Sequence, residues 1–402
     1  MKSILFLGYN VTDECVDKLI SIDTLPALQT IKLSRGLYEI FNRDPISLSC
    51  FTVVPIQDFP IGKKLYVKGN FGAGVNTKGV SFINVLCLKQ ISRFFSILFH
   101  YVNLKSRPDF VFIHGCDLSL ISSVFVLKLL FPNVHVQVVL TDMASLPLAS
   151  DGLIRRCLKI FSSKLTKLLL KRFDSCVSLS RDLGEYYFSG KRIISLPGVV
   201  VPGDNSVNKM ELSIDSNVFN HLYSSSGKHK ILYAGTIIKS YGVESLIESL
   251  DFLDDSFVIY FFGKGPDLDY LKAVAKKDSR VVYGGFLNKA QLDLFIENVD
   301  VLVNCRSSNL EFSKLSFPSK LLEYSLSGKP VITSRIETIP DELAGYFLYF
   351  NDQTALEIAN EIKRFFKLSE VEREMVGAKL KDFVVNTYSP SAIFDRYYNS
   401  NV

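Results

Sequence analysis

No stretch of this 402-residue chain reaches the ~18 uncharged apolar residues that crossing a bilayer requires. That holds even though 48% of its residues are hydrophobic and its mean hydropathy is +0.20. The most apolar run, Phe94-Phe95-Ser96-Ile97-Leu98-Phe99, stops within a turn or two. The start, Met1-Lys2-Ser3-Ile4-Leu5-Phe6-Leu7-Gly8, has one Lys and a short apolar run, with no h-region or small-residue cleavage site after it. It therefore reads as a first strand and not as a signal peptide. Paired cysteine spacing is also missing. Cys15, Cys50, Cys87, Cys116, Cys157, Cys176 and Cys305 are scattered, mostly within apolar runs. This excludes a disulfide framework and a zinc site and points to a reducing, cytoplasmic compartment. The glycine-rich segment Lys68–Gly79 lacks a third fingerprint glycine, because Thr77 stands there, and it reads as a mobile loop. Two carboxylates that would flank a glycosidic bond cannot be picked out, which argues against a hydrolase. Nothing resembles an RNA- or DNA-binding module, so nucleic acid is not expected as a partner. The net charge, +5, is small.

What the chain does contain is an alternation of short apolar, branched runs with longer helical patterns, the mark of parallel sheets covered by helices. Strands are expected at 3–7, 110–113, 135–140, 176–179 and 193–196. Helical patterns run over 80–102, 119–130 and 153–173. A second series of strands is expected at 231–234, 257–262, 281–283, 301–304, 331–333 and 346–350. Turn formers between the series, Pro202-Gly203-Asp204-Asn205-Ser206 and Ser224-Ser225-Ser226-Gly227, mark a domain boundary. Two α/β domains of Rossmann-like type follow, 1–205 and 206–385, with a last helical segment, 386–402, returning to the first.

Four segments of the second half carry chemistry. In Ala234-Gly235-Thr236-Ile237-Ile238-Lys239-Ser240-Tyr241-Gly242, a strand ends at a glycine and a Lys precedes a helix start, which suits an approaching anion. Phe262-Gly263-Lys264-Gly265-Pro266-Asp267 is a tight strand-to-helix turn whose Asp residues suit a first helical turn better than a metal. Tyr283-Gly284-Gly285-Phe286 exposes backbone suited to the edge of a nucleobase. In Phe317-Pro318-Ser319-Lys320-Leu321-Leu322-Glu323-Tyr324, Ser319 and Lys320 occupy the first turn of a helix, where free N–H groups attract phosphate. Glu323 lies one turn on along the same face and can accept two sugar hydroxyl protons. All four segments sit at the carboxyl ends of expected strands, where open α/β sheets bind ligands.

In this order, together with Asn304-Cys305-Arg306 and Gly328-Lys329-Pro330-Val331-Ile332, these motifs resemble the family 4 (group 1) retaining glycosyltransferases, over roughly 230–350. The resemblance implies the GT-B fold, two Rossmann-like domains with parallel sheets facing a central cleft. It implies a nucleoside diphosphate sugar as donor and no resident cofactor or metal. Gly235, Thr236, Lys239, Ser319 and Lys320 would hold the diphosphate, Glu323 the ribose, and Gly285 and Phe286 the base, with Lys239, Lys320 and Glu323 as the catalytic group. Two positions depart from the common pattern. Leu315 replaces a second glutamate, with Glu311 nearby but out of register, and Thr236 stands where an Arg is usual. The usual Lys-Gly pair appears as Tyr241-Gly242, leaving Lys239 as the expected cation. These departures resemble a Pro-Ser-Lys subgroup.

The first half is less specific. His114, Asp142 and Arg306 are candidates to face the cleft. The helix 153–173 carries seven cations and no acid among Leu153, Ile154, Leu158, Ile160, Phe161 and Leu165, a pattern suited to an anionic membrane surface. The expected activity is transfer of a hexosyl unit, with retention, to a hydroxyl of a lipid-linked or oligosaccharide acceptor in cell-surface polysaccharide synthesis. The enzyme would be cytoplasmic and peripheral on the inner face of the plasma membrane. A sugar-nucleotide epimerase of the same fold and a non-catalytic partner of a glycan-assembly complex are the alternatives. A nicotinamide oxidoreductase is disfavoured by the missing fingerprint.

Overall fold

The structure, a computed structural model, describes residues 2–23, 26–74, 76–104, 106–141, 152–202, 216–287, 289–306 and 317–399. The chain divides into two compact units, Met1–Val199 with Pro390–Val402, and Val200–Ser389. The boundary expected at 205/206 lies outside the described residues.

The first unit runs β1 (Ser3–Gly8), α1 (Asp13–Ile22), α2 (Leu28–Phe41), β2 (Ser47–Thr52), β3 (Tyr66–Val67), β4 (Thr77–Gly79), β5 (Phe82–Ile83) and α3 (Leu88–Val102). It continues with β6 (Phe110–His114), α4 (Leu118–Leu130), β7 (His135–Leu140), α5 (Leu153–Leu170), β8 (Ser175–Ser178), α6 (Arg181–Phe188) and β9 (Arg192–Ser195). Seven strands form one sheet in the order β4-β2-β1-β6-β7-β8-β9, every pair parallel. Helices cover both faces, so Ile4, Leu5, Phe6 and Leu7 are all buried and β1 shows no polar alternation.

Two segments differ from the sequence reading. The glycine-rich stretch 68–79 is not only a loop, because its end forms β4, the edge strand paired with β2 through Cys50–Thr77 and Thr52–Gly79. The helical pattern over 80–102 is helical only from Leu88. Before that, β5 pairs antiparallel with β3, and Asn84 donates to the carbonyls of Gln57 (2.7 Å) and Lys64 (2.9 Å), holding the segment extended.

The second unit runs α7 (Ser216–Ser224), β10 (His229–Ala234), α8 (Val243–Glu248), β11 (Phe257–Phe262), α9 (Leu268–Ala275), β12 (Val281–Tyr283), α10 (Lys289–Glu297) and β13 (Val301–Asn304). It ends with α11 (Ser319–Leu326), β14 (Val331–Ser334), α12 (Asp341–Ala344), β15 (Leu348–Phe350), α13 (Ala355–Phe366) and α14 (Glu370–Tyr388). Its six strands are parallel in the order β12-β11-β10-β13-β14-β15. The order reverses at β10, which places a topological switch between β10 and β13. The last helix, α15 (Pro390–Tyr397), belongs to the first unit. The hydroxyl of Tyr398 donates to Gln137 of β7 at 2.6 Å, and the Arg43 guanidinium lies 4.5 Å from the Phe394 ring centroid. Among the described residues no helix is long and apolar enough to cross a membrane.

The helix that matters most for the site, α11, is seated by α14. A methyl added at Gly377 would lie 2.0 Å from the Gly328 carbonyl oxygen, just past the end of α11. Gly377→Ala should therefore force the two segments apart and destabilise the second unit by about 1–3 kcal/mol, read as a lowered denaturant midpoint.

Candidate donor site in the second unit

The site is built where β10 runs out. Its backbone stitches three loops together: the Gly235 N–H donates to the Phe262 carbonyl (2.9 Å), Ile237 N–H to Lys264 (3.0 Å), and Gly263 N–H to Gly285 (2.9 Å). The Lys239 N–H donates to Asp267 Oδ2 at 2.8 Å. Gly235 and Gly285 thus stand on neighbouring loops at the carboxyl edge of the sheet.

The fourth segment joins by a side chain. Strands β10 and β13 pair only at Ile231–Val301 and Leu232–Leu302 and then separate. In the opening, the Tyr324 hydroxyl donates to the Ala234 carbonyl (2.9 Å) and accepts from the Ala234 N–H (2.8 Å). Tyr324 sits in the second turn of α11, five residues after Ser319, so this bridge ties the body of α11 to the end of β10. Pro318 precedes α11 and offers no side-chain cap. Ser319 is exposed, and Lys320 and Glu323 are half-buried on the helix they were expected to share. Uncapped N–H groups beside a lysine are the chemistry that suits an anion.

The remaining expected residues fall as follows. Thr236 is exposed, and its carbonyl accepts the Tyr233 hydroxyl at 2.9 Å. Phe286 is exposed, with the Lys264 ammonium 4.8 Å from its ring centroid. The Lys239 ammonium is held by Glu244 at 2.6 Å and lies 3.7 Å from the Tyr270 ring centroid, so this cation is engaged by α8 and by α9. Arg306, at the end of β13, is anchored through its carbonyl, which accepts from Ser334 and from Gln353 (3.1 Å). Burial draws the Arg306 pKa down, while the neighbouring Tyr241 hydroxyl acts the other way. Tyr241 is the site neighbour that the sequence reading passed over, and its position in the Tyr241-Gly242 pair was the available signal. Gly242 has φ +85°, and a methyl there would lie 2.0 Å from the Cys305 carbonyl oxygen, so the loop closes over the end of β13 only with glycine. Asp142, Glu311 and Leu315 lie outside the described residues. Among the described residues no group of three His, Cys, Asp or Glu could hold a metal ion.

In the first unit His114 ends β6, fully buried, with neither ring nitrogen hydrogen-bonded and the Tyr9 ring edge-on at 5.5 Å. Burial pushes its pKa down to about 3, so the imidazole is neutral. Beyond the same strand ends lies an ionic cluster that the sequence did not reveal. Arg93 pairs with Asp117 (3.3 Å) and donates to the Val54 carbonyl (2.8 Å), while Lys89 and Arg155 both pair with Asp58 (3.0 and 3.4 Å). Burial alone would raise the Asp117 carboxyl, but Arg93 and donors from Ser119 and Gln90 outweigh it and hold it below its ordinary value. Beside Asp58 opens an apolar groove of about 700 Å³ lined by Phe59, Pro60, Ile61, Leu86, Leu153 and Ile154, with Asp58 and Arg155 at its rim.

Residues 217–381 match the family model for glycosyl transferases group 1. The matched stretch lies within the second unit, Val200–Ser389. Among curated proteins no relative matches. Among solved structures the chain is similar to Anabaena Alr3699/HepE in complex with UDP, at TM-score 0.59 and 13% identity over 100% of this chain and 99% of that one. It is similar to the Candida albicans trehalose-6-phosphate phosphatase N-terminal domain at TM-score 0.64 and 12% identity, over 98% of this chain and 96% of that one. It is also similar to the E. coli trehalose-6-phosphate protein bound with UDP-2-fluoro glucose at TM-score 0.58 and 10% identity, over 99% and 98%. These likenesses establish the GT-B fold for the two-unit architecture.

Two outcomes follow from this geometry. Tyr324→Phe leaves the Ala234 N–H and carbonyl unpaired in a buried setting, and stability should fall by about 1–3 kcal/mol, measured by urea unfolding. For His114 the folded pKa lies below the unfolded value, so the unfolded chain takes up a proton that the native ring refuses as pH falls. The native state is unaffected by this residue above about pH 6.5 and loses stability below it, by about 2 kcal/mol at pH 5. His114→Leu should flatten that acid limb of the urea midpoint against pH, whatever it does to the midpoint at neutral pH.

Proposed function

We propose that this protein is a retaining hexosyltransferase that moves a sugar from a nucleoside diphosphate to a hydroxyl of a lipid-linked glycan, in cell-surface polysaccharide synthesis. The observation that carries the reading is the Tyr324 bridge. It ties α11, with Ser319 and Lys320 in its uncapped first turn and Glu323 one turn on, to the end of β10 beside the switch point of the second unit. The match of residues 217–381 to glycosyl transferases group 1 supports a glycosyl transfer, and the bound UDP and UDP-2-fluoro glucose of structural neighbours make uridine nucleotides the first donors to test.

In this reading the leaving diphosphate rests on the α11 N–H groups and Lys320, with the Arg306 guanidinium adding charge from the end of β13. Negative charge then develops where donors are already aligned. Lys239 contributes only if its pair with Glu244 opens. Glu323 accepts from the ribose hydroxyls, and Gly285 and Phe286 border the base. With retention, the acceptor hydroxyl attacks on the face the diphosphate leaves, and the leaving oxygen takes its proton, so no strong protein base is needed. No resident cofactor or metal is assigned a step. The first unit receives the acceptor; His114, neutral and fully buried behind Tyr9, is neither an acid nor a contact for it. The lipid part of the acceptor is supported by the apolar groove beside Asp58 and by the cations of α5, which favour an anionic, cytoplasmic membrane face.

The test is turnover with uridine diphosphate sugars and a membrane lipid fraction. Lys320→Ala should lower the rate at least tenfold, about 1.4 kcal/mol of transition-state stabilisation, with an unchanged melting temperature. An unchanged rate would mean the diphosphate is held elsewhere.

A further inference from the structure

Helix α3 is built inside out. Every exposed residue along it is apolar: Leu88, Ile91, Phe95 (63% exposed), Phe99 (67%) and Val102 (81%). Their spacing of three, four, four and three keeps them on one stripe, about 20 Å long. The helix has two charged side chains, and both turn inward: Lys89 is 8% and Arg93 3% exposed, held by Asp58, Asp117 and backbone carbonyls. A surface helix in water puts its cations outward and its phenyl rings inward. Here the protein has gone to the expense of burying an Arg and a Lys while leaving two Phe side chains outside.

The stripe does not stand alone. Helix α4 packs on α3 and α5 packs on α4. Helix α4 exposes Leu129 and Leu130, while α5 exposes Ile154, Phe161 and Leu168 at seven-residue intervals, among the exposed cations Arg156 and Lys164. Contiguous apolar surface on this scale marks an interaction site. Its chemistry selects the partner: an acid-free, cation-bearing helix, separated from the apolar stripe by α4, matches a layer of negative headgroups over hydrocarbon. A second copy of this chain would bring like-charged α5 helices to the same surface and leave their charge unmatched.

We propose that α3 lies within the headgroup–acyl boundary of an anionic lipid leaflet, its Leu88–Val102 stripe immersed, while the cations of α5 rest on the lipid phosphates. This rests on the membrane part of the proposed function and deepens it. Depth comes from α3, and α5 supplies attraction. The groove lined by Phe59, Ile61, Leu86 and Leu153 then opens at the level of the hydrocarbon, where the tail of a lipid-linked acceptor would enter.

The chain has no Trp, so Phe99→Trp introduces a single fluorescent reporter. With equimolar phosphatidylcholine–phosphatidylglycerol vesicles its emission should shift to the blue and be quenched by lipids brominated near the headgroup. The double change Phe95→Ser and Phe99→Ser should weaken vesicle binding about a hundredfold. What binding remains should vanish at high salt, whereas the unmodified protein should stay partly bound. Vesicle binding with unshifted emission would overturn the proposal in favour of α5 alone. So would blue emission without lipid together with a dimer mass, which would give the stripe to a second copy. A rise in melting temperature with UDP, measured on the same variants, reports the donor site separately. Insertion without that rise would sink the transferase reading and leave the membrane inference intact.

Discussion

Parallel strands that part company leave backbone groups with nothing to bond, and β10 and β13 do so after pairing at only two positions. A single phenolic hydroxyl satisfies both the N–H and the carbonyl of Ala234. Buried polar groups without partners cost more than most single contacts contribute, so this bridge constrains where α11 can lie. Because it is a bridge from a helix side chain, the opening at the switch point is closed at its base by α11 itself. Gly242 folding over the Cys305 carbonyl and Gly377 against Gly328 hold the same arrangement from two other sides.

The first unit solves a different problem. Its sheet ends carry Tyr9, His114 and two buried cations, Lys89 and Arg93, which pair with the half-buried Asp58 and Asp117 and donate to backbone carbonyls. Ions of that kind are costly to bury and contribute little net stability against an apolar replacement. Their effect here is directional: they turn α3 so that its phenyl and aliphatic side chains face outward. The orientation of one helix and the polarity of the strand ends are therefore coupled.

Much of the fold was legible because buried parallel strands read as unbroken apolar runs, as in Ile4-Leu5-Phe6-Leu7 and Phe257–Phe262. Strand β2, Ser-Leu-Ser-Cys-Phe-Thr, and the three-residue edge strand β4 were hidden by small polar residues and glycine. The motif residues of the second unit could be placed on their loops and on α11 from turn chemistry and helix spacing alone. The Tyr324 bridge could not, since its partners are ninety positions apart in sequence. Nor could the pairing of Lys239 with Glu244, because the short turn at 239–241 precedes the helix and alters the spacing. Counting charges drew attention to α5 and missed α3, because the number of cations in a helix does not say which way they point.

The central claim is that the start of α11 grips a diphosphate. Calorimetric titration of UDP and UMP into the full chain and into Lys320→Ala addresses it directly. The account predicts that the native protein binds UDP more tightly than UMP, and that Lys320→Ala loses that preference while its UMP affinity is unchanged. A preference for UDP that survives the substitution would contradict it.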